Sequence, residues 1–109
     1  MSAFNITQVT GNVNVVNQDG TCLGYAKINS LATATALSAL TTIPVGTTYC
    51  LIQCDGADVR WRGDNVAPTA TDGMLLAMYS ERVFTMDFTH LRFIQVSAGA
   101  ILYVSFFKQ

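Results

Sequence analysis

The sequence predicts an all-β domain, an antiparallel two-sheet sandwich of jelly-roll type. Three observations point there. Short runs rich in Val, Ile, Thr, Tyr and Phe recur along the whole chain, turn-forming clusters separate them at close intervals, and no long segment carries the 3.6-residue period of an amphipathic helix. About eight to ten short strands in one small chain can bury their apolar faces only as two packed sheets or a closed barrel. The 109 residues form one domain, 1–109, with no linker, repeat or low-complexity tract.

The strands follow the turns. Runs at 4–10 and 12–17 lead into Gln18-Asp19-Gly20, and a third run spans 21–27. The segment Leu31–Leu40 allows two readings: its Ala and Leu content suits a short helix, while Leu31, Thr33, Thr35 and Leu37 alternating with small residues suit a strand over 31–37, which we favour. After Pro44-Val45-Gly46 come strands at 47–54 and, past Asp55-Gly56, at 58–62. Thr71-Asp72-Gly73 introduces 74–79, followed by 82–88 and 91–96, and Ser97-Ala98-Gly99 introduces 100–107. Glycine supplies the positive φ such turns use, and Asp bonds its own backbone there.

Alternation assigns faces. Val59 and Trp61 share one side of their strand, with Asp58, Arg60 and Arg62 on the other; Phe84, Met86 and Phe88 form another apolar side. The last strand differs, because Leu102, Val104 and Phe106 fill one face while Ile101, Tyr103 and Phe107 fill the other. A strand apolar on both faces is expected to be covered on both. A two-layer sandwich leaves nothing of the same chain for the second side, so this strand is read as a subunit interface, the alternative being a central strand under a loop of its own chain.

Composition supports that reading. The chain is 50% hydrophobic and 12% charged, with a mean hydropathy of +0.35, against a usual charged share of about 25%. A small domain has much surface to cover, so uncharged surface must face something other than water. A membrane is not expected to be that something: the apolar run 98–107 is shorter than the roughly 20 residues of a spanning helix. The start, Met-Ser-Ala-Phe-Asn-Ile-Thr, lacks the pattern of an export signal. A net charge of −1 and no basic stripe argue against nucleic acid. What remains is a protein partner, in the first place a symmetric homo-oligomer.

No catalytic, cofactor or metal site is expected. His90 is the only histidine and has no nucleophile motif beside it. Most of the acids lie in or beside turns, and no metal-spaced cluster or phosphate-binding glycine loop occurs. Cys22, Cys50 and Cys54 are odd in number, and the last two lie about 13 Å apart on one strand face, too far to bridge. They read as reduced core thiols of a cytoplasmic product. The one charged cluster is 55–64, where Arg60 and Arg62 stand beside Asp58 and near Asp64, either as an intersubunit ion-pair network or as a solvated face. The loop 65–74, containing Pro68, is polar and small, and is placed where a partner would dock. The candidate interface residues are therefore Arg60, Trp61, Arg62, Asp64, Pro68, Tyr103 and Phe107.

Several of these strings, Val59-Arg-Trp-Arg62, Ala67-Pro-Thr-Ala-Thr71, Gly73-Met74, Leu91-Arg-Phe-Ile94 and Ser97-Ala-Gly-Ala-Ile-Leu-Tyr-Val-Ser105, resemble small virion-associated proteins of tailed bacteriophages and prophages. The likeness covers roughly residues 40–107, with Leu91 where Phe and Phe106 where Tyr would be usual. It implies a head-decoration, or cement, protein: a small β fold, often trimeric, seated over joints of the major capsid protein and assembled in the bacterial cytoplasm. The rival reading is a tail or fibre tip domain that binds a host glycan or protein through exposed aromatics such as Tyr79 and Tyr103.

Overall fold

A computed structural model describes residues 20–109. The expected strands at 4–10 and 12–17 lie outside the described residues. Eight strands and one helical turn are found there: β1 (Thr21–Ile28), β2 (Thr35–Ala36), α1 (Leu37–Leu40), β3 (Tyr49–Asp55), β4 (Val59–Arg62), β5 (Met74–Leu76), β6 (Glu81–Phe84), β7 (Arg92–Gln95) and β8 (Ile101–Lys108). They form two four-stranded antiparallel sheets, sheet A in the order β1-β8-β3-β6 and sheet B in the order β2-β7-β4-β5. The pairings nest: β1 with β8, β2 with β7, β3 with β6 and β4 with β5.

One core lies between the sheets. Sheet A contributes Cys50, Ile52 and Cys54 from β3, Leu102, Val104 and Phe106 from β8, and Phe84 from β6. Sheet B contributes Val59, Trp61, Leu76 and Phe93. Phe84 crosses the gap: its ring meets Trp61 edge-on at 4.9 Å and Phe93 edge-on at 5.9 Å. Such T-shaped contacts set the positive ring edge against a negative face.

The segment 31–40 departs from the expected strand. Only Thr35 and Ala36 pair with β7, and Leu37–Leu40 close a single helical turn. Leu31 and Leu37 are both fully buried, but a bend at 32–33 separates them. There Thr35 Oγ1 donates to the Thr33 carbonyl at 2.9 Å, a local bond that competes with a ladder. The Leu37 N–H then reaches Leu91 O at 2.9 Å.

Two further strands stop early. β5 ends at Leu76 because residues 77–80 turn tightly from sheet B to sheet A, with Ser80 N–H on Ala77 O. β6 ends at Phe84 because Asp87 Oδ1 accepts from both the N–H and the hydroxyl of Thr89, at 2.9 and 2.6 Å. Met86 and Phe88, expected on that strand, instead pack against the core from the connection. Between β3 and β4, Gly56 holds φ +78°, and a Cβ there would collide with the Gly99 carbonyl oxygen.

Candidate interaction surfaces

The two outer faces of the sandwich carry the candidate residues, and they differ in chemistry. On sheet A, β8 buries Leu102, Val104 and Phe106 and turns Ile101, Tyr103, Ser105 and Phe107 outward, half-buried. Register sets their neighbours: Phe107 opposes Tyr49 and Cys22, Ser105 opposes Leu51 and Tyr25, and Tyr103 opposes Gln53 and Lys27. Directly opposed side chains touch. Phe107 stacks on Tyr49 with centroids 5.1 Å apart and planes 7° apart, while the Tyr49 hydroxyl accepts the Gly20 N–H at 3.1 Å. Val83 of β6 extends the apolar end beside Leu51, and Tyr25 stands 64% exposed on β1. Among the described residues, the second side of β8 is therefore an aromatic surface on which Tyr103 and Phe107 are half-buried and Tyr25 is exposed.

The other end of that face is polar. Gln53, Asp55, Tyr79, Glu81 and Tyr103 line a shallow groove of about 230 Å³. Gln53 Nε2 donates to Glu81 Oε1 at 2.8 Å, which orients the carboxylate. Tyr79 holds φ +69° yet is 82% exposed. Its N–H is fastened to Cys54 O at 2.8 Å, and Cys54 N–H to Ser80 O at 2.9 Å. A left-handed conformation in a bulky residue is costly and persists only where its surroundings over-determine it. Here the fastening presents a phenol ring to solvent.

On sheet B, Val59 and Trp61 point into the core and Arg60 and Arg62 point out. Register places Arg92 opposite Arg62, and Ile94 and Leu75 on either side of Arg60. Like charges directly opposed repel, and two local devices offset this. Arg62 forms a two-pronged bond to Asp64, Nε to Oδ1 at 3.0 Å and Nη2 to Oδ2 at 2.6 Å, which holds the Asp64 carboxyl below the usual range. Asn65, at φ +63°, offers Oδ1 to Arg92 Nη2 at 3.3 Å. Arg60 Nη1 donates to Gly73 O at 3.0 Å. The Nε atoms of Arg60 and Arg92 are buried without an acceptor, a burden of about 1–3 kcal/mol for an ordinary donor. Asp58 does not join this cluster; its Oδ1 accepts the Met78 N–H at 2.7 Å.

The predicted residues thus divide. Arg60, Arg62 and Asp64 share the outer face of sheet B, and Tyr103 and Phe107 share that of sheet A. Trp61, 7% exposed, lies in the core, and Pro68 is buried beneath Gly73, where a Cβ on Gly73 would approach it to 3.0 Å. Both support the faces from within. Sequence reasoning missed Arg92, Asn65 and Glu81. The alternation Arg92/Phe93 was available as a signal, but the pairing of β4 with β7 was not.

The thiols need one correction. Cys50 and Cys54 are buried and free as expected, but Cys22 is exposed, because a β-bulge between Cys22 and Gly24 shifts the register of β1 and leaves Cys22 outside. Burial pushes Cys50 up to about 12, against a smaller pull from a Phe84 backbone hydrogen bond. Burial also pushes Cys54 up to about 11, helped by the charges of Asp58 and Asp55. Its Sγ donates to Ala57 O at 3.0 Å. His90 is exposed, 3.7 Å from Asp87 Oδ2. Among the described residues no group of three or more His, Cys, Asp or Glu could hold a metal, and no helix is long and apolar enough to cross a membrane. Comparison with protein-family models, with curated proteins and with solved structures finds no match to this chain.

Proposed function

We propose that this chain is a structural component of a tailed-phage virion, a capsid-decoration protein that performs no catalysis. In this reading it self-associates, with a trimer favoured, and binds across joints of the major capsid protein on the particle surface after synthesis in the bacterial cytoplasm. The observation that carries the reading is the aromatic face of exposed Tyr25 and half-buried Tyr103 and Phe107 in a chain with only 12% charged residues. Such a face favours a protein neighbour over water. Many copies, each adding a small interface free energy, make a shell collectively strong. The strand orders β1-β8-β3-β6 and β2-β7-β4-β5, with their nested pairs, support jelly-roll wiring, an architecture used by viral capsid and lectin domains. One architecture hosts many functions, and it is the surface that selects the partner.

One observation favours the second reading, a tail or fibre tip domain. Tyr79 and Tyr103, distant in sequence, line the same groove with Gln53, Asp55 and Glu81, and aromatic faces beside planar polar groups suit a glycan. Counting copies in purified particles separates the two. A decoration protein is present on the order of hundreds of times on the head, and its loss leaves adsorption intact while particles become fragile to heat or chelator. A few copies at the tail, with adsorption abolished on deletion, would replace the first reading by the second.

A further inference from the structure

We propose that copies of this chain join head to tail, the Tyr79–Glu81 groove of one protomer receiving the Arg60 and Arg92 guanidiniums of the next. This inference rests on the self-association in the reading above and names the contact that makes it.

Each surface lacks what the other holds. In the groove, Asp55 and Glu81 have no cation within ion-pair distance among the described residues. Glu81 is partnered by the neutral Gln53, and Asp55 Oδ1 by the Gly56 N–H. Tyr79 extends a phenol face beside them in a conformation its side chain disfavours. On sheet B, Arg60 and Arg92 have only a carbonyl and an amide for partners, and each keeps an Nε with no acceptor. Among the described residues only Arg62 of the six Lys and Arg stands within ion-pair distance of a carboxylate, so neither Arg60 nor Arg92 has a countercharge there. A guanidinium fits both halves of the groove: it bonds a carboxylate through two parallel N–H groups and stacks on a tyrosine face. Swinging either arginine outward gives up one side-chain bond, Arg60 to Gly73 O or Arg92 to Asn65 Oδ1, and releases a buried Nε that has no acceptor.

Geometry sets the symmetry. The groove opens on sheet A and the arginines on sheet B, at opposite faces of the sandwich, so they cannot meet within one protomer. A two-fold contact of either surface with itself would press carboxylate on carboxylate or arginine on arginine. The complementary contact is therefore heterologous, which continues as a stack or closes into a ring according to the rotation between neighbours.

Charge reversal tests this directly. Full-length Glu81→Lys and Arg60→Glu proteins are compared with the unmodified chain by sedimentation, with circular dichroism confirming that each folds. Arg92→Glu replaces Arg60→Glu if the latter does not fold. Each reversal is expected to weaken self-association at least about tenfold. Combining both changes in one chain is expected to restore it, because every groove then again faces the opposite charge. Reversals that leave assembly intact, or a doubly reversed chain that fails to regain it, would overturn the head-to-tail contact while leaving self-association standing. An unmodified chain that stays monomeric at about 1 mM, where even weak contacts populate, would overturn the contact and the self-association together.

Discussion

Sheet A and sheet B are built from the same chain to different specifications. In sheet A, β1 and β8 each run for eight residues and β3 for seven, in a regular ladder broken by one bulge. In sheet B the strands have two, four, three and four residues, joined by connections that spend their side chains on local bonds. The outer face of sheet A is aromatic, grading into a carboxylate-lined groove; that of sheet B is arginine beside Leu75 and Ile94. The contrast teaches that long ladders supply the platform, while short strands and irregular connections place the charges.

Phe84 joins the two specifications, so removing it is the severest way to break the comparison. Phe84→Ala should cost about 3–5 kcal/mol in chemical denaturation. A loss below about 1 kcal/mol would mean the sheets do not depend on that ring. Gly56, where the chain passes from sheet A to sheet B, comes next. Gly56→Ala must hold a positive φ and push against the Gly99 backbone, at about 2 kcal/mol. A neutral effect would show that the crossing yields.

The pH dependence sharpens the account of β3. Cys50 and Cys54 are raised from an ordinary 9.0, so the unfolded chain ionises first. Their contribution is complete below pH 9.0 and is lost as pH rises toward the folded values of about 11 and about 12. The slope is about 1.4 kcal/mol per pH unit for each thiol. Cys50→Ala should roughly halve the alkaline slope of stability, and an unchanged slope would remove these thiols from the account. On sheet B the Arg62–Asp64 pair is solvent-exposed, so Arg62→Ala should leave the denaturation midpoint almost unmoved at neutral pH. What Asp64 adds is present above the ordinary carboxylate range and disappears as pH falls through its depressed folded value. A large midpoint shift would place that pair in the folding of the sheet.

Much of this was legible along the chain, because strand period and turn chemistry are local. The inward Val59 and Trp61, the outward Arg60 and Arg62, and the two-faced last strand follow from alternation alone. Which strands lie side by side does not. The opposition of Arg62 and Arg92, and the shared groove of Tyr79 and Tyr103, arise from pairings between segments far apart in sequence. Leu31–Leu40 misled because hydrophobic alternation ignored the Thr33–Thr35 bond that bends the chain. Pro68 looked like a loop tip by composition and is buried under Gly73 by tertiary contact. Cys22 escaped the core because a bulge, invisible in the residue pattern, changed its side.

The central claim is that the aromatic face of sheet A is covered by neighbours. Hydrogen exchange and hydroxyl-radical footprinting, read at Tyr25, Tyr103 and Phe107 across a dilution series, test it most directly. The account predicts that these side chains are protected at high protein concentration and become reactive together on dilution, while Phe106 stays protected throughout. Equal reactivity of Tyr25, Tyr103 and Phe107 at every concentration, and in particles carrying the chain, would contradict it.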